Sequence, residues 1–126
     1  MTGQEVIEHW RKGARSSLKM AHLALSADEY EHALFHCHLA IEKTLKALYM
    51  EQHGEDHPYT HDLRHLAGLI QHALNADDMN ALQEMTEFVT DARYSDPYWA
   101  AEEATKENAA HWIRRTEHIL SALLPS

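Results

Sequence analysis

The stretch DARYSDPYWAAEE, residues 91–103, gathers one arginine and three aromatic rings in an acidic setting. A guanidinium grips phosphate or carboxylate through two parallel hydrogen bonds, and aromatic rings stack on nucleobases. Arg93, with Tyr94, Tyr98 and Trp99, is therefore a candidate for holding a nucleotide or an acidic partner surface. A structural use competes with this one: an arginine at a helix end satisfies the last carbonyls, or pairs with a neighbour such as Asp96. Both uses stay open at this point.

Histidine chemistry is the second candidate, because the chain has twelve. His32 and His36 share a helical face at four-residue spacing, as do His61 and His65, and Glu29 forms a Glu-x-x-His unit with His32. Those ligand types suit zinc or iron, but helical di-metal sites draw on two such units plus two further carboxylates. Only one credible unit is present, so the expectation is surface or hydrogen-bonded histidines, with no metal and no cofactor. A third feature is Glu42-Lys43 within HLAIEKTLKAL, two charges that interrupt the most apolar segment. Their ordinary reading is an exposed stripe in which Lys46 pairs with Glu42 one turn away. No Gly-rich phosphate loop, Gly-x-Ser-x-Gly elbow or Cys-His motif occurs, which sets aside phosphate-loop enzymes and the familiar hydrolytic triads.

Helices must position these groups. Ile7, Trp10, Ala14, Leu18, Ala21 and Leu25 recur at three- and four-residue steps, the period of one helical face, while Arg11, Arg15 and Lys19 line another face. A second helix is expected from Asp28 to about Gln52, with Tyr30, Leu34, Cys37, Ile41, Leu45 and Leu48 as its stripe. Phe35, Leu39 and Tyr49 give it a second apolar face, and Ala33, Ala40 and Ala47 mark where a neighbour approaches closely. Gly54 and Pro58 end it; Thr60 then caps a third helix with Leu63, Leu66, Ile70 and Ala73 inward. A turn at residues 75–78 leads to a fourth helix with Leu82, Met85, Val89 and Ala92 inward. Pro97 makes residues 95–104 read as loop, and Thr105 caps a last helix carrying Ala109, Trp112, Thr116, Ile119 and Leu123. The fold class is all-α: one domain over residues 1–126, an antiparallel, up-and-down bundle of four to five helices.

Bulk properties agree with that class. The 126 residues are 44% hydrophobic and 25% charged with four glycines and three prolines, the profile of an ordered, helix-rich chain. A lone cysteine, Cys37, excludes an intrachain disulfide and fits a reducing compartment. The N-terminal stretch is too charged for a signal peptide and no run of about 18 apolar residues occurs. A cytoplasmic location with no membrane contact follows as the expectation. Net charge is −9, with six basic and six acidic groups in residues 1–50 against five and fourteen afterwards. Such a chain repels long polyanions and favours basic protein surfaces.

The segments YEHALFHCHLAIEKTLKALYM, THDLRHLAGLI and ARYSD, in that order and spacing, resemble the HEPN domains, small helical-bundle proteins of prokaryotes often encoded beside a minimal nucleotidyltransferase. The resemblance covers nearly the whole chain. It implies a bundle that usually dimerises, with Glu42, Lys43, His61, Asp62, Arg93, Tyr94 and Asp96 on the family's recurring polar positions. Many such proteins are metal-independent RNases that use an arginine, four to six intervening residues and a histidine. Counted from Arg93, those positions hold Tyr98, Trp99 and Ala100. A phenol titrates near 10 and an imidazole near 6.5, so tyrosine is poorly poised for proton transfer at neutral pH. The resemblance thus implies a homodimeric, non-catalytic module with no catalytic residue of the family pattern. It would bind a nucleotide or RNA, or a minimal nucleotidyltransferase in a toxin-antitoxin-like pair. The alternative is an RNase with a divergent site. Trp99 and Trp112, read as exposed, and the second apolar face of helix two supply the surface for pairing.

Overall fold

The computed structural model describes residues 2–90 and 96–124, without the side chains of residues 89, 90, 99 and 100. Six helices follow in order: α1 (Gly3–Ser26), α2 (Tyr30–His53), α3 (Leu63–Gly68), α4 (Ala76–Thr90), α5 (Pro97–Glu103) and α6 (Lys106–Leu123). Among the described residues there is no strand, and no helix is long and apolar enough to cross a membrane.

The long helices form the body. Arg11 of α1 pairs with Glu51, Ser17 meets Lys43, and the residue numbers fall on one element as they rise on the other, so α1 and α2 run antiparallel. The turn between them needs Asp28 at φ 60°, a left-handed conformation that a short polar side chain tolerates better than a branched one. Helix α2 is central, with α1, α3, α4 and α6 all packed on it. Its Ala33, Leu34, Cys37, Ala40, Ile41, Leu45 and Ala47 are buried, as the sequence periodicity requires. From α4 and α6 come Leu82, Met85, Ile119 and Leu123, and Phe88 meets Trp112 edge-to-face at 5.3 Å. Trp112 is therefore a core residue, as the inward stripe expected for the last helix has it, and not the exposed pairing surface for which it was also a candidate. The inward positions expected at Val89 and Ala92, and the exposed position expected at Trp99, lie outside the described side chains.

Helix ends differ from the sequence expectation in ways with local causes. Helix α2 starts at Tyr30, two residues after Asp28, and ends at Gly54, whose φ of 69° closes it. The cap of α3 is Asp62, which accepts from the His65 amide at 3.1 Å, while the Thr60 hydroxyl accepts from the Asp62 amide. Ile70 and Ala73 lie beyond α3 because side chains from the end of α2 take up the next backbone groups. Gln52 bonds both the amide and the carbonyl of Gln71, and His53 donates to the Leu69 carbonyl at 2.7 Å. Residues 97–103, expected as loop, are helical: proline suits the first helical position, where its missing N–H has no intrahelical partner anyway. Asn75 and Asp78, expected in a turn, cap the start of α4 reciprocally at 2.8 and 3.2 Å.

Candidate functional site

Three side chains on α2 at four-residue spacing, His38, Glu42 and Lys46, share one face toward the connection between α2 and α3. All three are buried, with exposures of 0%, 4% and 4%. Lys46 Nζ donates to Glu42 Oε2 at 3.2 Å. The pair expected from the i to i+4 spacing is present, but it is internal rather than an exposed stripe, and that changes its meaning. Two desolvated charges cost several kcal/mol each unless geometry compensates.

Two kinds of compensation are visible. The Lys46 ammonium lies 5.6 Å from the centroid of the Trp10 ring, a cation–π contact that replaces part of its lost hydration. Trp10 is itself braced by the edge of His57 at 4.7 Å, and His57 is buried. Glu42 offers its other oxygen to His61, whose Nδ1–H donates to Oε1 at 2.8 Å. The carboxylate therefore stands between an ammonium inside and an imidazole outside.

His61 is the group through which this cluster reaches solvent, since its side chain is 66% exposed. With Nδ1 committed to Glu42, the neutral ring carries its free lone pair on Nε2. That nitrogen has no hydrogen-bond partner among the described residues. The backbone of His61 is held as well: its carbonyl accepts from His38 Nε2 at 2.9 Å. Burial lowers the His38 pKa below its ordinary value, outweighing the opposing pull of the His61 carbonyl and Glu42. His38 is thus a neutral donor, and the 3.6 Å approach of its Nδ1 to Glu42 is not an ion pair.

The other polar positions that the resemblance singles out separate. Lys43 turns toward α1 and donates to Ser17 Oγ at 2.9 Å. Gly13 makes room for its stem, since a Cβ there would stand 3.2 Å from Lys43 Cδ. Asp62 is the α3 cap, and Asp96 accepts from the Tyr98 amide at 2.9 Å at the start of α5. Tyr98 is exposed. Arg93 and Tyr94 lie outside the described residues. Sequence reading missed His38, Trp10 and His57 as parts of the cluster. The signal for His38 was available, since 38, 42 and 46 repeat at the helical period, but nothing local announces that Trp10 or His57 folds onto Lys46.

Among the described residues no three His, Cys, Asp or Glu side chains gather as a metal-holding group. His32 and His36 line a shallow hollow with Glu29, Met20 and Leu23 at the α1–α2 turn. His61 turns onto Glu42, while His65 is exposed on α3.

Comparison with known proteins places this arrangement in context. The HEPN domain family matches residues 7–125. The crystal structure of TT1696 from Thermus thermophilus is similar in fold, with a TM-score of 0.78 and 22% identity over 91% of this chain and 93% of that one. That of ST0689, an archaeal HEPN homologue, has a TM-score of 0.73 and 29% identity over 91% and 92% of the two chains. No curated protein sequence matches significantly.

Proposed function

The chain belongs to the HEPN domain family, and from that membership we propose a cytoplasmic binding module that holds a nucleotide or a minimal nucleotidyltransferase partner in a toxin-antitoxin-like pair. The observation that carries this reading is the presentation of His61. An exposed imidazole is fixed through its ring by buried Glu42 and through its backbone by buried His38. Fixed in this way, it loses little freedom on meeting a ligand, which is the general basis of preorganised recognition. Nε2 accepts from a base or sugar hydroxyl when neutral and donates to phosphate when protonated. Glu42 and His61 supply the inner part of the site, and Arg93 with Tyr94 is proposed as its outer, phosphate- or partner-gripping part. Lys43, Asp62 and Asp96 serve the local contacts described above, to Ser17, the start of α3 and the start of α5.

Titration with ATP, AMP and a short single-stranded RNA tests the proposal. The expected result is a saturable isotherm that His61→Ala weakens about tenfold or more, in a variant that stays folded with a melting temperature lowered by the loss of the Glu42 contact. No saturable binding of any of these, and no complex with a co-expressed minimal nucleotidyltransferase, removes it.

A second reading, metal-independent RNase activity at a divergent site, is favoured by one observation: the Glu42–His61 couple. A carboxylate on Nδ1 orients an imidazole so that Nε2 can take a proton from an attacking hydroxyl. Cleavage of single-stranded RNA in the presence of chelator, lost in His61→Ala, would establish that reading in place of the first.

A further inference from the structure

A groove of about 310 Å³ runs between α1, α2 and α6, and it shares no residue with the His61–Glu42–Lys46 cluster. Its floor is Thr44 and Leu48 of α2; Ala14 and Leu18 form one wall, and Leu120 and Leu124 the other. Thr44 spends its hydroxyl hydrogen on the Ala40 carbonyl at 2.9 Å, so the floor presents no hydrogen-bond donor. An apolar hollow of this volume lies at the lower end of the range for small-ligand sites, about 300–1,000 Å³.

Polar recognition must therefore come from the rim, where Arg11, Arg15, Glu117 and Ser121 stand. Arg11 is tied to Glu51 of α2. Glu117 has His22 at 3.4 Å. Arg15 is different: its side chain is 67% exposed and its one carboxylate contact among the described residues, to Glu8, is a long 3.3 Å. A guanidinium has five donors, and most of those on Arg15 remain for another acceptor. With Lys19 one turn further on, Arg15 gives the α1 side of the groove a cationic edge, while Glu117 on the α6 side is engaged by His22.

We infer that this groove is a binding site for a small amphipathic acid, with an apolar tail on the Leu18–Leu48–Leu120 surface and an anionic head at Arg15. The inference goes beyond the nucleotide- or partner-binding reading and does not depend on it. A cation of the same shape seated with its head at Arg15 meets that charge unfavourably, so the sign of the head group distinguishes this site from a merely greasy surface.

Isothermal titration with decanoate and, separately, with decyltrimethylammonium tests the assignment, both below their micelle concentrations. Decanoate should saturate a single site, with the ammonium compound at least about tenfold weaker. Arg15→Gln, at an exposed position, should weaken decanoate by about tenfold while strengthening the ammonium compound, since the repelling charge is gone. Ser121→Trp, on the exposed rim, should block both and retain the wild-type melting temperature. Equal affinity for the two head groups, no saturable decanoate binding, or an unchanged isotherm in Arg15→Gln overturns the proposal. A dimer that Ser121→Trp converts to monomer, without decanoate binding by the wild type, assigns the groove to a second copy instead and overturns it as well.

Discussion

The His38 Nε2–H donates to the backbone carbonyl of His61 at 2.9 Å, across a sequence gap of 23 residues. This bond fixes the position of the α2–α3 connection on the central helix, and Glu42, one turn further along α2, fixes the ring of the same residue. The exposed group of the candidate site is thus a loop residue, His61, anchored to the rigid central helix through both its ring and its backbone. Its weak points are the buried groups that support it.

Glu42→Ala should be strongly destabilising, since it leaves the Lys46 ammonium buried without its carboxylate. The expected loss is about 3–5 kcal/mol, the range for breaking a buried ion pair from one side. Glu42→Gln with Lys46→Met should recover much of it, because an amide can still accept from His61 and a thioether chain suits the Trp10 face. Urea unfolding of Glu42→Gln, Lys46→Met and the double variant gives the coupling directly; additive effects would show that the pair is energetically unimportant.

Acid should weaken the fold through His38. Its folded pKa is lowered by burial, so the unfolded chain takes up the proton more readily. Stability from this residue is complete above the ordinary histidine value of 6.5 and declines as pH falls below it. His36, also lowered by burial and by nearby Lys43 and His32, acts in the same direction. Melting temperatures between pH 7.5 and 5 should fall, and less steeply in His38→Gln, which keeps a donor for the His61 carbonyl but cannot charge.

Cys37 should be inert in the folded protein. It is fully buried, and burial pushes its thiol up to about 12, only partly offset by Thr116. Alkylation by iodoacetamide at pH 8 is expected only through unfolding, at a rate that rises with urea. Fast modification in native buffer would contradict the packing described for α2.

Arg93→Ala is expected to leave folding nearly intact and weaken nucleotide or partner binding by about 2–5 kcal/mol, the range for truncating one member of a buried charge pair. Lysine should rescue only partly, since it lacks the planar two-pronged contact. A lower melting temperature with binding unchanged would instead mark Arg93 as a helix cap.

A homodimer is expected in solution, with a mass near twice the 14.5 kDa of one chain by light scattering at micromolar concentration. Its interface cannot draw on Trp112, which lies in the core; partly buried Phe35, Leu39 and Tyr49 of α2 remain candidates. A mass near that of one chain would remove the expectation.

Much of this architecture was legible in the sequence because helical periodicity is a strong signal. The stripes of helices one, two and six fall inward residue by residue, and Thr105 caps α6 through the Asn108 amide. What failed was local punctuation. Pro97 reads as a breaker until Asp96 is seen capping behind it, and beyond the end of α3 Gln52 and His53 reach from α2 to bond the backbone of Gln71 and Leu69. Site residues follow the same division. Glu42 and His61 were named from the resemblance and do meet, but that Lys46 is internal depends on Trp10, 36 positions away along the chain. No window of sequence contains that contact.

The three-residue turn between α1 and α2 has a consequence for how the chain assembles. Two helices of 24 residues each, joined by so short a link, find one another at little loop-closure cost, because contacts nearest the turn form first and the rest follow like a zip. Leu82, Met85 and Ile119 must come from much further along the chain. The hairpin is thus expected to be the folding nucleus and α4 and α6 the late arrivals. Changes at Ala21 or Ala33 should then slow refolding, whereas changes at Ile119 should mainly hasten unfolding.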